Sequence, residues 1–297
     1  IKFSRGDLAI SPMCRGFWVL DNVQSAAAAA TAGGNMVSVM KPKDTFRYRH
    51  PRGVPRDGTS VGVPELPRPG VSIDYYVPEG EHSSIKLEIL DSAGDVVTTY
   101  VNDGSDAKDD DLDAPMHIIT GDLEMDAGLN RFRWNMQHLG PWHQNASRRY
   151  SDGPIATPGT YTARITIDGQ MSEASFDLIP DPRVTDQGIN VTDLANQTQM
   201  QMVISDLLSK SRKLEVQSNA EYRALHRQYR GQSNEERGAE ANADFDRVHA
   251  TIRTLGTPNI IYPKAGLVGM ISYLYNINSD ADQVPGKDSV DRLTELS

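Results

Sequence analysis

Between residues 71 and 180 apolar and polar positions alternate with period two, the spacing of strands that bury one face. Segments 71–77, 85–90, 96–101, 130–136, 160–167 and 174–179 each carry it. Turn sequences separate them, among them Pro78-Glu79-Gly80, Asp91-Ser92-Ala93-Gly94 and Asp168-Gly169. In 130–136 the alternation sets Phe132, Trp134 and Met136 on one face, which makes Trp134 a core residue. About seven strands at this spacing predict a two-sheet β-sandwich of immunoglobulin or fibronectin type III kind. Two long loops interrupt it, an acidic one at 102–123 and one rich in aromatic and polar residues at 137–158. Loops of that length in a compact domain tend to be functional or mobile.

Past Asp181-Pro182-Arg183 the period becomes helical. Thr192 is placed to cap a helix reaching about Arg230, with Met200, Ile204, Leu207, Leu214, Leu225 and Tyr229 as its apolar stripe. Gly231-Gln232-Ser233-Asn234 breaks it, and Ser233 or Asn234 caps a second helix carrying Phe245, Val248, Ile252 and Leu255. Segments 267–277 and 289–296 predict a third helix and a fourth, divided by Pro285-Gly286. Short connections make neighbours antiparallel. The second helix should therefore fold back on the first, with Leu207 and Ile252 in the core and 266–277 closing the far side. The pattern stops in mid-course at Ser297.

The N-terminal stretch differs. Leu8-Ala9-Ile10 and Phe17-Trp18-Val19-Leu20 read as two short apolar strands joined by a turn with Pro12 and Gly16. Residues 26–30, all alanine, followed by Gly33-Gly34, have the composition of a linker. A lone two-stranded hairpin is marginal in water. Its apolar side chains thus need cover from the sandwich or from protein outside this chain. Residues 36–40 predict a short strand, and 41–70, with six prolines, a loop or an extended covering strip.

The run from Asp7 to Asn22 resembles the last blade of bacterial sortilin-like and glycosyl-hydrolase-like (neuraminidase-type repeat) β-propeller proteins, which end in sequences such as DLVVATHGRGFWVLDN. Further segments match that family in order. Lys86–Gly94 is similar to TLEILDAAGKVV, 128–136 to GLNRFVWDMR, 156–169 to APGTYTVRLTVDG, and Asp181-Pro182-Arg183 to KDPR. Met13-Cys14 stands where the family has His-Gly, and no Asp-box turn of the form Ser-x-Asp-x-Gly-x-Thr-Trp occurs. The resemblance implies a mainly β plus α chain in four parts. Residues 1–35 end a propeller blade and link onward, and 36–70 form a Pro/Arg-rich connecting strip. Residues 71–183 form the immunoglobulin- or fibronectin-like sandwich, and 184–297 an antiparallel helical coil. It also implies that a propeller, with any catalytic face, lies upstream of Ile1.

Composition narrows the partners. A net charge of −10 argues against general nucleic-acid binding, which needs a basic surface. The exception is local: 41–68 holds seven basic residues (Lys41, Lys43, Arg47, Arg49, Arg52, Arg56, Arg68) against three acidic ones, a solvated linker or a strip lying on an acidic neighbour. A single cysteine, Cys14, excludes an internal disulfide and a cysteine-rich zinc site. No apolar run approaches the ~20 residues that span a bilayer.

Candidate chemistry is thin. Asp109, Asp111 and Asp113, with Asp103, Asp106 and Asp110 near them, could gather oxygens for calcium, but the EF-hand positions that need Gly and Glu hold Ala114 and Thr120. A self-repelling solvated loop is the competing reading. Trp142 and His143, with His138 and Tyr150 in the same loop, could form a stacking platform for a sugar; the competing reading has Trp142 pin its loop. Neither a nucleophile–base order nor paired catalytic carboxylates sits on a recognisable scaffold. Arg212, Lys213, Arg223, Arg227 and Arg230 form a solvated or partner-facing helix face. The reading that follows is a non-catalytic accessory region of an exported protein, outside the cytoplasm, that packs on the propeller and contacts a protein or glycan partner. The alternatives are part of a glycosidase-like hydrolase with an upstream active site, and a structural subunit of a cell-envelope assembly.

Overall fold

The structure, a computed structural model, describes residues 1–4, 6–11, 18–32, 36–49, 69–105, 117–145, 148, 150–258 and 263–297. Cys14, Phe17, Arg52, Arg56, Arg68 and the turn around Pro12 and Gly16 lie outside them. The chain is mixed β and α, with sheets first and helices at the C-terminal end. It forms two compact units. The first holds the described residues of Ile1–Asp106, Met116–His138 and Ile155–Gly188, the second those of Leu139–Pro154 and Ile189–Ser297.

In the first unit, β1 (Lys2–Ser4), β2 (Asp7–Ile10) and β3 (Trp18–Leu20) make a three-stranded sheet. The helix α1 (Val23–Ala32) follows. The alanine run expected as linker is thus helical, which fits alanine's standing as the best helix former. A second sheet orders β10 (Gly128–Trp134), β6 (Val71–Val77) and β4 (Ser38–Val39). The third is six-stranded: β5 (Thr45–Arg47), β12 (Gln170–Pro180), β11 (Gly159–Ile167), β7 (Ile85–Leu90), β8 (Val96–Asn102) and β9 (Ile118–Ile119). Seven strands fall between 71 and 180. Three strands were not anticipated: β1, which pairs antiparallel with β2, β5 in the proline-rich strip and β9 at the end of the acidic loop. Each is two or three residues long, and β5 and β9 pair in parallel, with β12 and β8 respectively.

The alternation reads out as burial. Val71, Ile73, Tyr75 and Val77 of β6 join Ile85, Leu87 and Ile89 of β7 and Tyr161, Ala163, Ile165 and Ile167 of β11 in one apolar cluster. Trp134 is fully buried there, 5.4 Å from the Tyr161 ring and 6.0 Å from Phe176. Its indole N–H donates to the Gln137 carbonyl at 3.1 Å. The basic strip departs from a solvated linker at Arg47, which is 1% exposed and donates through Nε to the Ala156 carbonyl at 2.7 Å.

The N-terminal sheet is tied down by polar groups. Asp74 on β6, 1% exposed as a side chain, takes Arg131 Nε at 2.5 Å and Nη2 at 3.0 Å. Asn22 Nδ2 reaches the same carboxylate at 3.1 Å, and Arg131 Nη2 donates to the Asp21 carbonyl at 3.2 Å. Lys43 bonds Asp7 and Asp21. The apolar side chains of this sheet stay open: Phe3 is 59% exposed, Trp18 64%, Val19 65% and Leu20 56%. Leu8 is half-buried. The other two sheets of this unit therefore leave these side chains uncovered.

The second unit is helical: α3 (Val191–Gln228), α4 (Asn234–Leu255), α5 (Leu267–Ser279) and α6 (Lys287–Leu296), after the short α2 (Pro182–Thr185) of the first unit. Asn190, not Thr192, caps α3, in a reciprocal box with Asp193. Ser233 caps α4 in the same way with Glu236. Tyr222 of α3 stands 6.0 Å from Phe245 and 5.9 Å from His249 of α4, which fixes the two as an antiparallel hairpin. Met200, Ile204, Leu208, Ile271, Leu274 and Tyr275 make the core between α3 and α5. Leu207 and Ile252, expected there, are half-buried, and Leu214 is 46% exposed. The buried row advances by four residues through Met200, Ile204 and Leu208, which turns Leu207 to its flank.

Candidate functional site

The loop Leu139–Pro154 closes on itself before it meets the helices. A Cβ at Gly140 would lie 1.8 Å from the Ser151 carbonyl oxygen, so only glycine fits, and the Gly140 N–H donates to the Tyr150 carbonyl at 2.8 Å. Tyr150 and Asp152 hold left-handed backbone at φ 61° and 54°. Three bonds then fasten the loop. The Trp142 N–H donates to Ser209 Oγ at 2.9 Å, Arg212 Nη1 donates to the Trp142 carbonyl at 3.1 Å, and the Tyr275 hydroxyl donates to the Asp152 carbonyl at 2.6 Å. The Trp142 side chain is buried, with Lys213 Nζ 5.9 Å from its ring centroid.

Loop and helices line a half-open pocket of about 290 Å³. Pro141 and Leu208 supply apolar wall; Arg148, Asp152, Arg212 and His143 supply charge or potential charge. Ser272 and Asn276, one turn apart on α5, add neutral polar groups. His143 Nδ1 accepts the Asn145 N–H at 3.0 Å, which leaves Nε2 as the protonated nitrogen of the neutral ring. Burial lowers the Arg212 pKa, yet a guanidinium starts so high that it stays charged.

Of the four candidate sugar contacts, Trp142, His143 and Tyr150 belong to this unit, and His138 to the first. Burial pushes the His138 pKa down, which favours its neutral form. Trp142 is 1% exposed and Tyr150 5%, so neither ring offers an open face for a sugar to stack on; Trp142 here pins its loop. His143 alone of the four lines the cavity. The calcium candidates Asp109, Asp111 and Asp113 lie outside the described residues. Among the described residues no three His, Cys, Asp or Glu side chains converge as metal ligands.

Sequence reasoning missed Arg212, assigned there to a solvated or partner-facing helix face. The available signal was its position, four residues past Leu208 and eight past Ile204 on the buried row. No family model, no curated protein and no solved structure matches this chain.

Proposed function

We propose that this chain is the non-catalytic C-terminal region of an exported bacterial β-propeller protein of the sortilin-like, glycosyl-hydrolase-like kind. Its work is to pack against the propeller and contact a protein or glycan partner. The observation that carries this reading is the N-terminal sheet, held by the Asp74–Arg131 pair while Phe3, Trp18 and Leu20 stand open. An anchored sheet with an uncovered apolar face is built to be covered by something else.

Strand order supports the sandwich part of the proposal. Lettering β4, β6 and β10 as A, B and E, and β8, β7, β11 and β12 as C′, C, F and G, gives sheets A-B-E and C′-C-F-G. An immunoglobulin-type sandwich divides its strands between two sheets in this way. The envelope-subunit alternative draws on a separate observation: Met202, Val203 and Leu214 of α3 and Tyr273 of α5 are apolar and exposed.

Sedimentation of the full chain against concentration separates the two. On the propeller-packing reading the wild-type chain associates weakly and binds an apolar dye, and Trp18→Ser with Leu20→Ser abolishes both without moving the melting temperature. Association that survives this double variant and is lost in Leu214→Ser would overturn it in favour of the envelope subunit.

A further inference from the structure

The cavity under the 139–154 loop has a chemistry that its role in fastening the loop does not use. Arg212 carries five N–H donors in a fixed fork. One of them meets the Trp142 carbonyl, and among the described residues the others make no hydrogen bond. Arg148 also lines the cavity, and its guanidinium makes no hydrogen bond among the described residues. Among the described residues Asp152 is the one carboxylate in the lining. Among the described lining residues two guanidiniums against one carboxylate leave a formal charge of +1, suited to a monoanion. Because Arg212 is half-buried, its bonds to an anion would be stronger than those of a surface arginine.

The rest of the lining defines what the anion is attached to. Ser272 and Asn276 present a hydroxyl and an amide side by side, and Asp152 adds an acceptor that suits hydroxyl donors. A volume of about 290 Å³ sits at the lower end of small-molecule sites, which run from ~300 to 1,000 Å³. That is room for one ring, and the open side leaves a glycan free to continue outward.

The geometry points to a subsite for one carboxylate-bearing sugar ring, a hexuronic acid unit of an acidic glycan, with the carboxylate between Arg212 and Arg148 and ring hydroxyls on Asp152, Ser272 and Asn276. This rests on the reading of the chain as a region that contacts a glycan. It relocates the contact from the rings of Trp142 and Tyr150 to the cavity those residues help to build.

Calorimetric titration of the full chain with glucuronate tests it, with glucose and sulfate as parallel probes. A single small ring should bind with a Kd of ~1 mM, weakening as salt rises, while glucose, which lacks the charge-assisted bonds, and sulfate, which lacks the ring hydroxyls, each bind at least about tenfold more weakly. Arg148→Ala and Asn276→Ala, both on exposed side chains, should each weaken glucuronate several-fold at an unchanged melting temperature. Arg212→Gln should abolish binding. Since Arg212 also holds the loop, the two exposed variants carry the test if that protein melts early. No heat with glucuronate, equal binding of glucose, or sulfate binding as tight as glucuronate would each overturn the subsite. Those failures leave the sedimentation test of the Trp18 sheet untouched, so the two readings fall separately.

Discussion

The first unit contains two β regions built from similar apolar residues and treated in opposite ways. In the strands from β6 onward, Val71, Ile73, Leu87, Ile89, Trp134 and Ile165 are fully buried. In β1–β3, Phe3, Trp18, Val19 and Leu20 are each more than half exposed. Residue type does not explain the contrast; the number of faces does. The larger sheets meet each other across a shared core, whereas the N-terminal sheet is held through Asp74, Arg131, Asn22, Asp21 and Lys43. One region is fixed by area removed from water, the other by charge.

Replacing the two tryptophans breaks the comparison most directly. Trp134→Ala should cost about 3–5 kcal/mol by leaving a cavity among Tyr161 and Phe176. Trp18→Ala should change stability by no more than about 0.5 kcal/mol. Equal losses in urea melts would show that Trp18 is covered after all. The helical unit offers the same contrast: Leu208→Ala should cost about 2–5 kcal/mol, and Leu214→Ala within about 0.5 kcal/mol of nothing.

The charged anchor sharpens the other half. Arg131→Met leaves the Asp74 carboxylate buried without its cation. Breaking a fully buried pair costs about 3–5 kcal/mol, and this pair, with Arg131 partly in water, should lose roughly 2–3 kcal/mol. Asp74→Asn in the same background should recover part of it, since an amide tolerates the site uncharged. Absence of that recovery in thermal melts would mean that the pair does not carry the anchoring.

The smallest effect is in the β11–β12 turn. Hydrogen bonds from Ser83 and then His82 hold the Asp168 pKa down to about 2. The Pro78 carbonyl and then Asp168 hold the His82 pKa up. A lowered carboxylate pKa adds stability above its unfolded value of ~4 and loses it as pH falls towards 2; a raised imidazole pKa adds stability below ~6.5 and loses it as pH rises through the folded value. Both are present between about pH 4 and 6.5. His82→Gln should flatten the alkaline side of that window in a melting series, and an unchanged profile would show that the exposed pair contributes nothing.

What the sequence made legible follows from the same physics. Strands with one dry face write alternation, so β6, β7, β8, β10 and β11 were anticipated to within two residues at each end, and β12 without its first four residues. Edge strands of two or three residues write nothing, and β1, β5 and β9 were missed. The buried face of α3 was misread because its repeat is partly polar. Leu194, Gln197, Gln201, Ile204, Leu208, Ser211 and Ser218 are all buried, and most are spaced by threes and fours. Gln197 Nε2 donates to the Asn278 and Ala281 carbonyls at 2.9 and 2.7 Å, which pays for its burial and hides it from a search for apolar stripes. Misplacing that row by one residue, onto Leu207, also hid Arg212 and with it the cavity.

The two short parallel strands bear on how molecules of this chain would meet. A long antiparallel strand at a sheet boundary is a template on which a stranger can add. Here β5 occupies Leu178–Pro180 of β12, and β9 occupies Tyr100–Val101 of β8. The remaining rim of β12 carries Glu173 and Asp177, with the Asp177 N–H already taken by Asp44. Runaway stacking through the six-stranded sheet is thereby discouraged, and ordered growth is steered to the small N-terminal ribbon, where the apolar surface waits.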